Sequence, residues 1–227
     1  MKYYPIAIIV ILVVLLPIYM REEKRSNFVR ATTFKLIVSG LCSLCALLGL
    51  FLANEASIDE RIPVIVALVC AIFGDYFLQY IRLDSKKFNI GIGCFSLTQI
   101  SLIAFLVIRD GLSWPEFVST AVISLGVLIL MIAQKWNLGS AKIPLSIYTV
   151  LLAFMSSKAV IALFGAVVTP SMCFMAAGAV LFLLSDLLLG IWNFKTGKRA
   201  YANLNWITYF CGILLIALSV STLPDLI

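Results

Sequence analysis

Residues 71–78 read AIFGDYFL and residues 182–189 read FLLSDLLL, and in each a lone aspartate follows a small residue inside an otherwise apolar run. Extended outward, Asp75 lies in an apolar stretch over 62–81 and Asp186 in one over 170–192. Each approaches the roughly 20 residues a helix needs to cross the hydrocarbon core of a bilayer. Similar runs, bounded by charges or by Pro and Gly, cover 3–20, 31–53, 89–108, 115–133, 143–163 and 203–222. The pattern predicts an all-α polytopic membrane protein of about eight transmembrane helices, a single transmembrane domain over residues 1–227. Of the 227 residues 63% are apolar and 12% charged, a balance unsuited to a water-exposed globular surface. The spans consume nearly the whole sequence and leave no room for a soluble domain. The first run has one lysine before it and no small-x-small cleavage site ahead of the charged stretch Arg21 to Arg30, so it reads as a retained helix rather than a signal peptide.

The basic residues order the helices. Arg21, Lys24, Arg25 and Arg30 follow the first run, Arg82, Lys86 and Lys87 the third, Lys135 and Lys142 the fifth, and Lys195, Lys198 and Arg199 the seventh. The opposite side holds only Lys2, Arg61 and Arg109. The positive-inside rule places the odd-numbered connections in the cytoplasm and both termini outside. The net charge of +6 is therefore topological, and no nucleic-acid partner is expected. Cys42, Cys45, Cys70, Cys94, Cys173 and Cys211 all fall in apolar segments, where thiols pack as small residues. Cys42 and Cys45 form a C-x-x-C, but the chain has no histidine and no second pair, so neither a metal site nor a cofactor is expected.

An aspartate at mid-span costs about 2.5–3.5 kcal/mol on insertion scales, so two at one level call for interior packing, pairing or a watery cavity. With Arg82 as the marker of the helix end, Asp75 lies roughly 10 Å inside the cytoplasmic face, and Asp186 occupies the same place ahead of Asn193. Lys35, Tyr148, Thr208 and Tyr209 reach this level from their own helices, and Gln99 sits nearer the midplane. The matching aspartate segments suggest that helices 1–4 and 5–8 are parallel repeats. Lys158, near the outer end of helix 6, is expected to snorkel to the interface. Trp114, Trp136, Trp192 and Trp206 fall at helix ends as an interfacial belt does. Ser185, Gly74 and Gly190 read as sites of close helix contact. The loop carboxylates Glu22, Glu23, Asp59 and Glu60 read as solvated.

Two neighbouring carboxylates in a low-dielectric cavity do not both ionise, which yields one acid and one base at neutral pH. That division suits cleavage of acetal-like bonds, in which an acid delivers a proton and a carboxylate stabilises an oxocarbenium ion or activates water. Without histidine, Ser-His hydrolysis and His-ligated zinc hydrolysis are excluded. A site in the cytoplasmic third of the bilayer is reached most directly by an inner-leaflet lipid.

In the order of these features the sequence resembles the YhhN family, which includes the animal lysoplasmalogenases. The resemblance rests on Lys35 early in helix 2, Gly74-Asp75-x-x-Leu78 in helix 3, Tyr148 in helix 6, Ser185-Asp186-x-x-Leu189 in helix 7 and Thr208-Tyr209 in helix 8. Where the family pattern often has a histidine and a tyrosine three residues later in helix 4, this chain has Gln99 and Leu102. The resemblance implies hydrolysis of the vinyl ether of lysoplasmalogens to a fatty aldehyde and a glycerophospho-alcohol. Asp75 and Asp186 would be catalytic, with Lys35, Gln99, Tyr148, Thr208 and Tyr209 binding or orienting, and a lysophospholipid as the partner. Two other readings compete. A proton-coupled transporter is motivated by paired intramembrane carboxylates in repeated halves, and an inactive lipid-binding family member by Gln99.

Overall fold

In the computed structural model the chain is described over residues 3–25, 28–52, 58–81, 83–165 and 167–221. Among these residues the only regular structure is helical: α1 (Tyr4–Lys24), α2 (Phe28–Phe51), α3 (Ile58–Leu78), α4 (Ser85–Asp110), α5 (Trp114–Ala133), α6 (Lys142–Ile161), α7 (Pro170–Ile191) and α8 (Arg199–Ser219). All eight contain stretches long and apolar enough to cross a membrane. Lys2, Arg82 and the side chains of Asp59 and Glu60 lie outside the described residues, as does the expected end of the last span at residue 222.

Local chemistry sets the helix ends. Asp84 caps α4 by accepting from the backbone N–H groups of Lys86 and Lys87, and the helix stops at Gly111 with φ 67°. Thr169 caps α7 by accepting from Met172 N–H, with Pro170 opening the helix. α7 then runs into a π-helical turn, Trp192–Thr196, closed by Gly197 at φ 63°. That extra turn puts Trp192 and Asn193 on the wall of the polar cavity described below.

Helices that follow one another in the chain pack together in two runs, with no extensive contact between α4 and α5. Successive helices pack as α1 on α2, α2 on α3 and α3 on α4, then again as α5 on α6, α6 on α7 and α7 on α8. The halves meet through α2 with α8 and α4 with α6, pairs that exchange when each helix is advanced by four. α3 with α4 and α7 with α8 make the most extensive contacts. Outward faces carry exposed Val13, Phe73, Ile100, Val122 and Ile132, as suits a lipid solvent.

Close approach of α7 to α8 depends on Gly178 and Gly212. A Cβ on Gly178 would lie 2.8 Å from the Gly212 carbonyl oxygen and 2.8 Å from Ile216 Cγ1. Gly178→Val is therefore expected to destabilise the protein by about 1–3 kcal/mol, read as a lowered thermal unfolding midpoint in detergent. Gly126→Val, where no atom lies within 4 Å of the added Cβ, should leave the midpoint unchanged. Gly74 and Gly190 do mark close contacts, against the rings of Phe95 and Trp136 respectively.

Three sequence expectations fail because position along a helix does not say which way a side chain faces. Lys158 does not snorkel: it is 1% exposed, with Nζ 2.9 Å from Glu116 Oε1 and donating also to the Gly111 carbonyl. Trp136 and Trp206 are buried against protein, whereas Trp114 is exposed. Glu22 is buried and pairs with Arg25 at 3.2 Å and Arg30 at 3.8 Å.

Candidate active site

Asp75 sits three residues before the end of α3, closer to the helix terminus than Arg82 suggested, and has no exposed surface. Its depth matters less than its partners. Lys35 Nζ on α2 lies 2.9 Å from Oδ1. Tyr209 on α8 donates to Oδ2 at 2.8 Å, and Ser39 on α2 donates to the same oxygen. The carboxylate thus faces one ammonium and two hydroxyl donors. Lys35 Nζ also lies 5.4 Å from the centre of the Tyr209 ring, which fixes the ammonium from a second side.

Asp186 on α7 is built differently. Tyr148 on α6 donates to Oδ2, and Ser185 Oγ lies 3.2 Å from Oδ1. The same Ser185 hydroxyl is 2.7 Å from the Phe182 carbonyl oxygen, so its one proton serves one acceptor or the other. No cation pairs with Asp186 among the described residues. Behind it, Gln99 on α4 is wholly buried and donates from Nε2 to Tyr148 Oη at 3.4 Å. Gln99 and Tyr148 therefore form a chain of donors directed at the Asp186 carboxylate.

Two voids meet at Asp186. A polar cavity of about 440 Å³ holds Lys35, Asp75, Asp186, Asn205 and Tyr209 in its depth, a size ordinary for a small-molecule site. Its rim is made by Glu23, Phe28, Gln79, Leu83 and Arg199 at the basic end of the bundle. A narrow apolar slot lies between α4, α5, α6 and α7, lined by Ile92, Ile123, Val127, Leu152 and Leu183 and reaching Tyr148 and Asp186. Phe95 borders both voids, held against Gly74 with its ring 6.2 Å from that of Tyr209.

Of the residues expected at the site, Lys35, Asp75, Gln99, Tyr148, Asp186 and Tyr209 come together. Thr208 does not. One residue from Tyr209 is about 100° around a helix, and the Thr208 hydroxyl bonds back to the carbonyls of Leu204 and Asn205. Sequence reasoning missed Ser39 and Asn205, the latter buried and donating to the Ser185 carbonyl at 2.7 Å. A signal for both was present. Ser39 is four residues after Lys35 and Asn205 four before Tyr209, so each shares a helix face with a residue already singled out.

The sequence model of the YhhN family matches residues 31–220, from the start of α2 to the end of α8 and across every residue of the cluster. No curated protein and no solved structure gives a match.

Proposed function

This chain belongs to the YhhN family, which includes lysoplasmalogenases, and from that premise we propose that it hydrolyses the vinyl ether bond of a lysoplasmalogen. The observation that carries the reading is the placement of Asp186, a carboxyl group without a cationic partner, at the junction of a polar cavity and an apolar slot. A lysolipid is built the same way, with a polar glycerophosphate at one end, one hydrocarbon chain at the other and the vinyl ether between them. With the headgroup in the cavity and the chain in the slot, the reacting bond lies beside Asp186.

Asp186 is the acid and Asp75 the fixed carboxylate. Among the described residues Asp75 pairs with Lys35 at 2.9 Å while Asp186 makes no ion pair, so the proton-donating role falls to Asp186. Asp186 delivers its proton to the vinyl carbon remote from oxygen, leaving an oxocarbenium ion shared by the ether oxygen and the adjacent carbon. As water adds to that carbon, the Asp186 carboxylate takes a proton from it. The hemiacetal then expels the glycerol oxygen, which receives that proton, while the hemiacetal hydroxyl gives its proton back to Asp186, so that the aldehyde is released and the acid is restored. Asp75, held by Lys35, Ser39 and Tyr209, supplies preorganised negative charge opposite the cation. The basic loops set the orientation, with the termini outside and the cavity open to the cytoplasmic leaflet.

The arrangement gives less support to a proton carrier. Tyr148 and Lys158 are about 15 Å apart along α6, with buried Leu152, Ala153 and Met155 separating Thr149 from Ser156 and Ser157. Purified protein in detergent, with no gradient, is expected to release fatty aldehyde from 1-alkenyl lysophospholipid and none from 1-acyl or 1-alkyl lysolipid. Absence of aldehyde from the alkenyl substrate across the pH range would overturn the reading.

A further inference from the structure

Lys35, deep in the cavity, already pairs with Asp75. Among the described residues lining the polar cavity, the other cation is Arg199 at the rim. It makes no ion pair there, and its guanidinium lies over Trp206 at 5.0 Å from the ring centre. Trp206 is buried and fixed by edge contacts to Trp192 at 6.0 Å and Tyr19 at 5.4 Å. The guanidinium is thereby pre-oriented while its N–H groups remain available to an anion. Glu23 stands on the same rim and, among the described residues, also makes no ion pair, whereas its neighbour Glu22 is taken up by Arg25 and Arg30. Among the described residues the mouth of the cavity thus presents one cation and one carboxylate that make no ion pair, above the charged cluster.

Resting on the hydrolytic reading of this cavity, we infer that Arg199 and Glu23 form a headgroup subsite, in which Arg199 binds the phosphate and Glu23 the ammonium of a zwitterionic lysolipid. Neither residue touches the reacting bond. They set which headgroup is held. Glu23 opposes a headgroup that ends in bare phosphate, so the subsite discriminates by charge as well as by attraction.

The test separates this subsite from the reaction by measuring binding of lipids that cannot be hydrolysed. Dissociation constants of 1-alkyl-glycerophosphoethanolamine and 1-alkyl-glycerophosphate are measured by calorimetry in detergent for wild type, Arg199→Gln and Glu23→Gln. Arg199→Gln is expected to weaken both lipids about tenfold. Glu23→Gln is expected to weaken the amine-bearing lipid roughly three- to tenfold and to leave the phosphate lipid unchanged or tighter. With 1-alkenyl substrates the same losses appear in KM while kcat stays within about twofold, the signature of uniform binding. Unchanged affinity in Arg199→Gln, or an equal loss for both lipids in Glu23→Gln, overturns the inference. The expected binding pattern without any aldehyde release from wild type would instead defeat the hydrolytic reading and leave the subsite standing.

Discussion

Asp186→Asn is expected to lower aldehyde release by about 10²–10⁴-fold with little change in thermal unfolding. Asparagine keeps the shape and can still accept from Tyr148, but it has no acidic proton to deliver. Since Asp186 makes no ion pair among the described residues, its neutral replacement strands no buried charge. Asp75→Asn is also expected to abolish turnover, but with a second effect. It leaves the Lys35 ammonium, 8% exposed, beside a neutral amide, at a cost of about 3–5 kcal/mol. Adding Lys35→Met to Asp75→Asn should recover much of the stability and none of the activity. Two carboxylates that look alike in sequence are thus expected to separate by stability, and equal destabilisation in the two single variants would show that their roles are misassigned. Full turnover in either would sink the mechanism.

That separation is also where sequence reading reaches its limit. The eight spans were legible because a bilayer demands long apolar runs, and the expected boundaries fall within a few residues of the helices at most ends. Asp75 and Asp186 were legible because a carboxylate in an apolar run is costly. Their difference was not, because it comes from α2 and α6: Lys35 and Ser39 face Asp75, while the corresponding partner of Asp186 is Tyr148. Rotation about each helix axis decides such pairings, and in a helix apolar on all sides the sequence carries little information about rotation. The same gap explains Trp136 and Trp206, assigned to the interface by position yet turned into the bundle. Thr208 was carried in by the motif it shares with Tyr209, and it faces away for the reason any adjacent helical residue does.

Lys158→Met is expected to lower the thermal unfolding midpoint in detergent by about 10 °C, as the loss of one partner from a buried pair costs about 3–5 kcal/mol. Lys158 and Glu116 are 1% and 3% exposed, 2.9 Å apart, at the end of the bundle remote from the polar cavity. Removing the ammonium leaves Glu116 with only the Ser113 hydroxyl at 2.9 Å and removes the donor that holds the Gly111 carbonyl. Glu116→Gln should also lower the midpoint, because it leaves the buried Lys158 ammonium beside a neutral amide even though the lysine keeps Gly111. The double variant Glu116→Leu, Lys158→Met should melt well above Lys158→Met alone, since no charge is left unpaired. A lysine whose amine reached the interface would give the opposite order: Lys158→Met would be neutral and the double variant no better. Retained kcat in Lys158→Met below its melting temperature would further place the pair outside the chemistry, as the distance of about 15 Å along α6 between Tyr148 and Lys158 implies.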